Sequence, residues 1–375
     1  RVYLLFQKAS LMFSLRIDAL EGYLSRVFGG RVKIVKVGEL GGSLERMEKE
    51  LKGFGYGIPY ILEVLVDGSE RRLVLETIRP GGFGHEHFSD RAQILLWQNA
   101  AFNKLPRHVR SVDVGAFTLD GGMKSLGDCR EFFILTEFAE GKPYYLDLDR
   151  ISSERRLRDL DVERCRALSD YAAQIHAEKK DDAGLYIKRI RDLVGHGEGI
   201  MGLTDSYPSD LDYIDDNVLC EIEKACVEWR WKLKRGAHRC SRVHGDFHPW
   251  NVLFREGVDF TVLDRSRGEW GEPADDVTAM TINYLFYSLR TYGELRGPFE
   301  RLFKDFWRNY IDKTCDEEIL SFVQPFYAWR GLVVASPLWY PNLPLDVRIK
   351  LFNFIKNILS VDKIDLEEVN SYIKP

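Results

Sequence analysis

The hydrophobic pattern changes its period part-way along the chain, and this change constrains the fold more than any other feature. In the first part, apolar residues alternate or form short runs between glycines, as in RVKIVKV (31–37), IPYILEVLVDG (58–68) and RRLVLETI (71–78). Such runs are typical of strands. From residue 154 onward apolar residues recur every three or four positions, as in LSDYAAQIHA (168–177), which predicts helices. We therefore expect an α+β protein whose strand-rich first part precedes a mainly helical second part.

Further elements complete the first part. DGSE (67–70) predicts a hairpin turn between two of the strands. SDRAQILLWQNAAFN (89–103) predicts a helix with Ser89 as its N-cap. VRSVDVGAFTL (109–119) and EFFILTEF (131–138) predict two more strands.

The segment EGKPYY (140–145) separates the two parts, because its glycine and proline interrupt both periodicities. At 375 residues the chain is long enough for two domains. We predict an N-terminal lobe over 1–139 and a mainly helical C-terminal lobe over 140–375.

Composition excludes several classes of partner. A net charge of -5 provides no field that would attract nucleic acid or an anionic membrane. The apolar runs are shorter than a membrane span requires, and the initial RVYLLFQKASLMFSL is not typical of a secretory signal. The six cysteines form no CxxC pair, which indicates free thiols in a reducing compartment. We expect a cytoplasmic protein with no nucleic-acid or membrane partner.

The stretch VHGDFHPWNVLF (243–254) concentrates polar residues between apolar ones and precedes the strand-like FTVLD. Phosphoryl transfer needs a carboxylate that orients or deprotonates the acceptor hydroxyl, together with oxygen ligands for Mg²⁺. Asp246 fits the first role. Asn251 and Asp264, the latter at the end of the following strand, fit the second.

Two simpler interpretations of this stretch compete. His244 and His248 are four residues apart, as in helical zinc sites, but Gly245 and Pro249 disfavour a helix between them. Asp and Asn are also common in turns that carry no chemistry. The combination of the spacing, the following strand and GEPADD (271–276) favours the phosphoryl-transfer interpretation.

HGDFHPWNVLF, followed by FTVLDRSRGEWGEPADDVTAM, resembles the aminoglycoside phosphotransferase and choline kinase family of small-molecule kinases. LTEFAEG (135–141) is similar to the inter-lobe hinge of that family, and LSDYAAQIHA (168–177) to a helix that ends in a Leu/Ile-His pair. The resemblance implies a two-lobed protein-kinase-like fold, in which the lobe over 1–139 binds the nucleotide and the lobe over 140–375 carries the catalytic loop and the acceptor site. It also implies transfer of the γ-phosphoryl group of ATP or GTP to a hydroxyl of a small metabolite.

The resemblance also implies roles for individual residues. Asp246 would be the catalytic base, and Asn251 and Asp264 the Mg²⁺ ligands. His244 would brace the loop, and Asp275 or Asp276 would be structural. The backbone of the hinge would face adenine through Glu137, Phe138 and Ala139.

The chain departs from the protein-kinase pattern at the third strand, where a Lys normally contacts phosphate. Glu76 stands there instead. Candidates for the missing cation are Arg79, Lys52 and Arg91, and one hypothesis is a reversed pair, in which Glu76 bonds Arg91 and Arg79 contacts phosphate. For the loop that covers the phosphates we favour KGFGYG (52–57), with Gly53, Gly55 and Gly57, over the glycine clusters at 38–42 and 80–85.

Several residues are candidates for recognition of the acceptor. The segment 189–208 lies where the resembled family builds acceptor pockets, and its acidic Glu198 and Asp205 are candidate recognition residues. His248 is a candidate substrate-side residue. Arg265 and Arg267 follow Asp264 closely, which indicates an acceptor or product with negative charge.

Two alternative functions remain open. Glu76 in place of the lysine is compatible with a nucleotide-binding pseudokinase that has a regulatory role. A protein kinase is disfavoured, because the chain has Gly245 before Asp246 where protein kinases have Arg, and has no evident DFG or APE segment.

Overall fold

The computed structural model describes residues 3–5, 14–39 and 57–375. The chain divides into two compact units, Arg1–Thr136 and Glu137–Pro375. Each unit has its own hydrophobic core.

The first unit is built on an antiparallel three-stranded sheet in the order β3-β4-β5. Its elements in chain order are β1 (Tyr3–Leu5), β2 (Ser14–Arg16), α1 (Ile17–Phe28), β3 (Val32–Glu39), β4 (Gly57–Val66), β5 (Ser69–Ile78), α2 (Phe88–Phe102), β6 (Gly115–Phe117) and β7 (Met123–Ser125). β1 pairs with β2, and β6 with β7, both antiparallel.

Strand alternation explains the core of the first unit. Tyr60, Leu62, Val64 and Val66 occur at every second position of β4 and are all buried, because successive side chains of a strand point to opposite faces. They share a cluster with Leu20 and other apolar residues of α1. The three predicted strands over 31–78 are therefore confirmed.

The predicted turn at 67–70 joins β4 to β5. Asp67 and Gly68 both have positive φ, 48° and 85°, as two-residue hairpin loops require. The predicted helix over 89–103 is confirmed as α2, but Ser89 is not its N-cap. The helix begins at Phe88, with His87 as the N-cap residue, and the Asp90 carboxylate accepts a hydrogen bond from the His87 N–H at 2.8 Å.

Two predicted strands differ from the structure. Only Gly115–Phe117 of the 109–119 segment is a strand. The 131–138 segment is not a strand: Phe133 is 92% and Leu135 90% exposed, and no described strand pairs with it. A continuous apolar run has no period that distinguishes a strand from irregular chain, and a strand forms only where a neighbouring edge can accept its hydrogen bonds.

The second unit is mainly helical, as predicted. Its helices are α3 (Tyr145–Glu154), α4 (Asp159–His176), α5 (Ala183–Gly195), α6 (Ile200–Asp205), α7 (Asp216–Leu233), α8 (Ala274–Tyr292), α9 (Gly297–Thr314), α10 (Gln324–Ala335), α11 (Leu345–Leu359) and α12 (Val369–Tyr372). Helix α8 is buried along nearly its whole length and packs against α9 and α10.

The second unit also contains short strands. They are β8 (Lys142–Pro143), β9 (Ser241–Arg242), β10 (Val252–Phe254), β11 (Phe260–Val262) and β12 (Trp270–Gly271). β10 lies between β11 and β8, and β9 pairs with β12. None of the described helices combines the length and apolar character needed to cross a membrane.

Candidate active site

The HGDFHPWN loop is fixed to the start of α8 by one buried carboxylate. Asp276 accepts hydrogen bonds from the backbone N–H groups of His244 and Gly245, both at 2.7 Å. Gly245 has φ +85°, a conformation that glycine adopts without the strain a Cβ would add. The GEPADD segment therefore positions the loop through its last residue.

His176, the last residue of α4, supports Asp276 from the other side. Its Nε2 lies 3.0 Å from Asp276 Oδ2, and its Nδ1 lies 2.8 Å from the Tyr310 hydroxyl. Burial would raise the pKa of Asp276, but the hydrogen bond from His176 and those from the loop backbone outweigh it and lower that pKa. Asp276 is thus a buried anion whose role is to hold the loop.

His244 lies inside the loop. It is buried, and burial lowers its pKa, so the ring is neutral near pH 7. The Asp246 N–H donates to its Nδ1 at 3.3 Å. These contacts are those of a residue that braces the loop.

Asp246 is held by two arginines that come from distant parts of the sequence. Its Oδ1 lies 2.6 Å from Nη1 of Arg330, on α10, and 2.6 Å from Nη1 of Arg267, in the chain after β11. The Arg330 guanidinium also donates to the Gly245 carbonyl at 3.1 Å and to Asp275 Oδ1 at 2.7 Å. The side chain of Asp246 is 10% exposed.

The surroundings keep Asp246 ionised. Burial alone would raise its pKa, but His248, Arg330 and Arg267 together lower that pKa well below the usual range. His248 Nε2 is 3.5 Å from Asp246 Oδ2. Asp246 is therefore a hydrogen-bond acceptor at neutral pH and can orient a hydroxyl group.

Asn251 and Asp264 lie at adjoining ends of paired strands. β10 and β11 are antiparallel, with Val252 opposite Val262. The ladder extends one step further, because the Leu263 N–H donates to the Asn251 carbonyl at 2.8 Å. Asp264 follows directly, with φ +56°.

Asn251 and Asp264 both carry side-chain oxygens of the kind that a hard divalent cation binds. Asn251 uses its amide nitrogen to bond the Asp246 carbonyl at 3.1 Å, which leaves its Oδ1 as a potential ligand. Asp264 is exposed and lines a pocket of about 380 Å³ with His244 and Tyr171, among others, whereas Asn251 and Asp246 are not among the lining residues. Magnesium prefers such oxygen ligands and completes its shell with water and phosphate. The described residues contain no group of three or more His, Cys, Asp or Glu side chains that could hold a metal by itself.

The arginines on either side of Ser266 are both engaged within the protein. Arg265 donates to the Val243 carbonyl at 3.0 and 2.9 Å and to the Glu269 carbonyl at 3.1 Å. Arg267 bridges Asp246 and Glu198, whose Oε2 is 3.3 Å from Arg267 Nε. Both arginines therefore have partners within the protein, and the negative charge of the acceptor stays a prediction.

The candidate recognition residues are only partly brought together. Glu198 is tied to the site by Arg267 and by the Trp329 indole, which donates to the Glu198 carbonyl at 3.0 Å. His248 lies in the loop, where its Nδ1 accepts from the Trp250 N–H at 3.2 Å. Asp205, the last residue of α6, makes no hydrogen bond or ion pair with this group in the described parts of the chain.

The candidate nucleotide-binding residues lie on the first unit and at the beginning of the second. Gly57 is the first residue of β4, whereas Lys52, Gly53 and Gly55 lie outside the described residues. Glu137 and Phe138 are exposed, and Ala139 is half-buried, in chain without regular secondary structure.

The hypothesis of a Glu76–Arg91 pair is wrong. Arg91 Nη1 donates to the carbonyls of His85 and His87, at 2.9 and 3.0 Å, because these carbonyls directly precede its own helix. Glu76 and Arg79 are both exposed, and Arg79 stays a candidate phosphate contact.

The sequence analysis does not identify Arg330 as part of the site. It is the one charged residue in QPFYAWRGLVVA, and a charged residue inside an apolar helix is rarely buried unless it is paired. This lone charge in an apolar helix indicates that Arg330 has a buried partner. It does not reveal the partner, since Asp246 is 84 residues away along the chain.

The sequence model of the phosphotransferase enzyme family, APH, matches residues 63–310, which is more than half of the chain. The chain belongs to this family. The resemblance seen in HGDFHPWN and GEPADD is therefore confirmed, as are the α+β kinase-like class and membership among phosphotransferases.

Solved structures of other phosphotransferases also match at low similarity. A glucosamine kinase in complex with glucosamine, ADP and inorganic phosphate has 16% identity and a TM-score of 0.32, over 60% of this chain and 56% of that chain. An amicoumacin kinase bound to AMP-PNP and Ca²⁺ has 15% identity and a TM-score of 0.40, over 83% and 89%. A Plasmodium vivax ethanolamine kinase has 12% identity and a TM-score of 0.33, over 93% and 82%. No curated protein matches the chain.

Proposed function

We propose that this phosphotransferase moves the γ-phosphoryl group of ATP or GTP to a hydroxyl of a small metabolite. The observation that carries the proposal is the arrangement around Asp246. A carboxylate held in its ionised form lies next to Asn251, and Asp264 follows on the neighbouring strand. Membership of the phosphotransferase enzyme family supports phosphoryl transfer as the class of reaction.

The residues would divide the reaction as follows. Asp246 accepts a hydrogen bond from the acceptor hydroxyl and aims its oxygen at the γ-phosphorus. As the new P–O bond forms and the bond to the β-phosphate oxygen breaks, the hydroxyl proton passes to Asp246. A carboxylate with a lowered pKa is a weak base, but a loose phosphoryl-transfer transition state needs little deprotonation before attack.

Asn251 and Asp264 would hold Mg²⁺ through their side-chain oxygens. When bound, the cation neutralises charge on the phosphates of the donor. We further propose that residues 1–139 contribute the nucleotide contacts, including Arg79, Gly57 and the hinge backbone, and that residues 140–375 contribute the acceptor site.

The experiment is a transfer assay with radiolabelled ATP or GTP, Mg²⁺ and a panel of metabolite alcohols, amino alcohols and sugars. We expect a phosphorylated acceptor from the native protein, and a rate loss of about 10²–10⁴-fold in Asp246→Asn. Asp259→Asn is the matched control, because Asp259 is exposed and pairs only with nearby residues of its own turn. Full activity of Asp246→Asn would contradict the assignment.

The pseudokinase alternative is favoured by one observation, the exposed Glu76 on β5 where a lysine is expected. It predicts nucleotide binding that does not depend on Mg²⁺ and no turnover with any acceptor. Calorimetric titration of ATP with and without Mg²⁺, run beside the transfer assay, distinguishes the two functions.

A further inference from the structure

Arg330 lies buried at the junction of the catalytic loop and the hydrophobic core, with 6% of its surface exposed. Its two terminal nitrogens contact the Asp246 carboxylate, the Gly245 carbonyl and the Asp275 carboxylate, at 2.6, 3.1 and 2.7 Å. We propose that Arg330 is a positioning residue that sets the orientation of the Asp246 carboxylate for phosphoryl transfer. This inference rests on the proposed function.

The guanidinium of Arg330 is itself fixed on the side away from Asp246. Asp275 binds one terminal nitrogen of this guanidinium and is itself bound by Arg189, whose Nη2 lies 3.0 Å from Asp275 Oδ2. The Trp329 ring lies 3.9 Å from the guanidinium carbon. Because a guanidinium is planar and its donors keep a fixed geometry, its orientation is passed on to Asp246.

The contacts also distinguish the two oxygens of Asp246. Both arginines contact Oδ1. Among the residues that the structure describes, the contacts of Oδ2 are long, 3.5 Å to His248 Nε2 and 3.5 Å to Asn251 Nδ2. The acceptor hydroxyl would therefore bond Oδ2, while Arg330 keeps Oδ1 occupied and prevents the carboxylate from rotating.

Arg267 shares Oδ1 but is held less firmly. Its side chain is 23% exposed, and its second partner, Glu198, is 62% exposed. Exposed ion pairs are screened and mobile. Of the two guanidiniums, Arg330 is therefore the one whose geometry is determined by the core.

The test is the substitution Arg330→Lys, which keeps the positive charge but removes the planar guanidinium with its two terminal nitrogens. We expect kcat to fall by about 10²-fold, the effect of a misplacement of about 1 Å at a reacting group. The KM values for nucleotide and acceptor should stay within about threefold, because Arg330 contacts neither in this scheme.

Arg239→Lys is the matched control in the same unit. Arg239 is 4% exposed and binds Glu272 and Asp316 with both terminal nitrogens, but it does not contact Asp246. We expect both lysine variants to lose stability and only Arg330→Lys to lose kcat. Equal kcat values in the two variants would overturn the inference.

A double substitution separates a positioning effect from a general structural one. If Arg330 acts through Asp246, then Arg330→Lys added to Asp246→Asn causes no further loss of kcat. If the double variant instead shows the product of the two single losses of kcat, the inference is wrong. Should Arg330→Lys not fold, Asp275→Asn is the alternative variant, because it weakens the hold on the Arg330 guanidinium at the end away from Asp246. We expect Asp275→Asn to lower kcat and leave KM unchanged. An unchanged kcat in Asp275→Asn would equally overturn the inference.

Failure of this inference and failure of the proposed function give different results. If Asp246→Asn is inactive but Arg330→Lys is fully active, only the role of Arg330 is wrong. If the native protein transfers no phosphoryl group, or Asp246→Asn retains full activity, the proposed function is wrong and the role of Arg330 falls with it.

Discussion

Replacement of Asp276 by Asn tests whether the catalytic loop depends on a single buried carboxylate. Asp276 is fully buried and accepts three hydrogen bonds, from His176 and from the N–H groups of His244 and Gly245. An asparagine has almost the same shape, but only one of its two terminal atoms accepts hydrogen bonds.

The expected cost follows from these contacts. In the best orientation, the asparagine oxygen accepts from His176 and His244, and the NH₂ group faces the Gly245 N–H. The Gly245 N–H and the asparagine NH₂ group that faces it are then both left without an acceptor, at about 1–3 kcal/mol for each buried group, and the other two hydrogen bonds lose the strength that the negative charge gave them. We expect a total loss of about 3–5 kcal/mol in the free energy of unfolding, a large part of the ~5–15 kcal/mol typical of a folded domain.

Urea denaturation of the native protein, Asp276→Asn and the control Asp259→Asn measures this loss. Asp259 pairs with Arg255 on the surface and is 65% exposed, so its replacement should cost less than about 1 kcal/mol. Phosphoryl transfer by Asp276→Asn, at a temperature where it is folded, should also be slower. If the two variants unfold at the same urea concentration, the reasoning about Asp276 is wrong.

Three further predictions concern other parts of the protein. Asp264→Ala should raise the Mg²⁺ concentration needed for half-maximal transfer by at least ~10-fold, because one charged oxygen ligand is lost; an unchanged Mg²⁺ titration would exclude Asp264 as a ligand. Arg79→Ala should weaken nucleotide binding in a calorimetric titration if Arg79 contacts phosphate, and equal affinity would remove it from the site. Burial would raise the pKa of Asp316, but Arg239 outweighs it and lowers that pKa. The stabilisation is therefore present above about pH 4 and is lost as the pH falls further, so the difference in urea midpoint between native protein and Asp316→Asn should shrink at low pH.

Local patterns in the sequence predict the strands, turns and loops that depend on residues close together in the chain. Strand alternation predicts β4 and β5, and the Asp67-Gly68 pair predicts the turn between them, because each depends on residues that are adjacent in the chain. The spacing in HGDFHPWN likewise places Asp246 and Asn251 in one loop, where they are in contact.

Features that depend on distant residues are not predictable in this way. Arg330 reaches Asp246 only because α10 packs against α8. The segment 131–138 is as apolar as a strand, yet a strand also requires an available edge, which no local pattern shows. The partners of Arg265 and Arg267 within the protein are likewise not evident from the residues that flank them.

Two consecutive carboxylates at the start of α8 carry different parts of the site. Asp275 binds the guanidinium that holds Asp246, and Asp276 binds the loop backbone. A small rotation of that helix would displace both supports at once. Enlarging or shrinking a core side chain such as Met280, a turn further along and fully buried, would therefore change turnover as well as stability, and laboratory evolution could tune the rate through the hydrophobic interior without altering any group that touches the reactants.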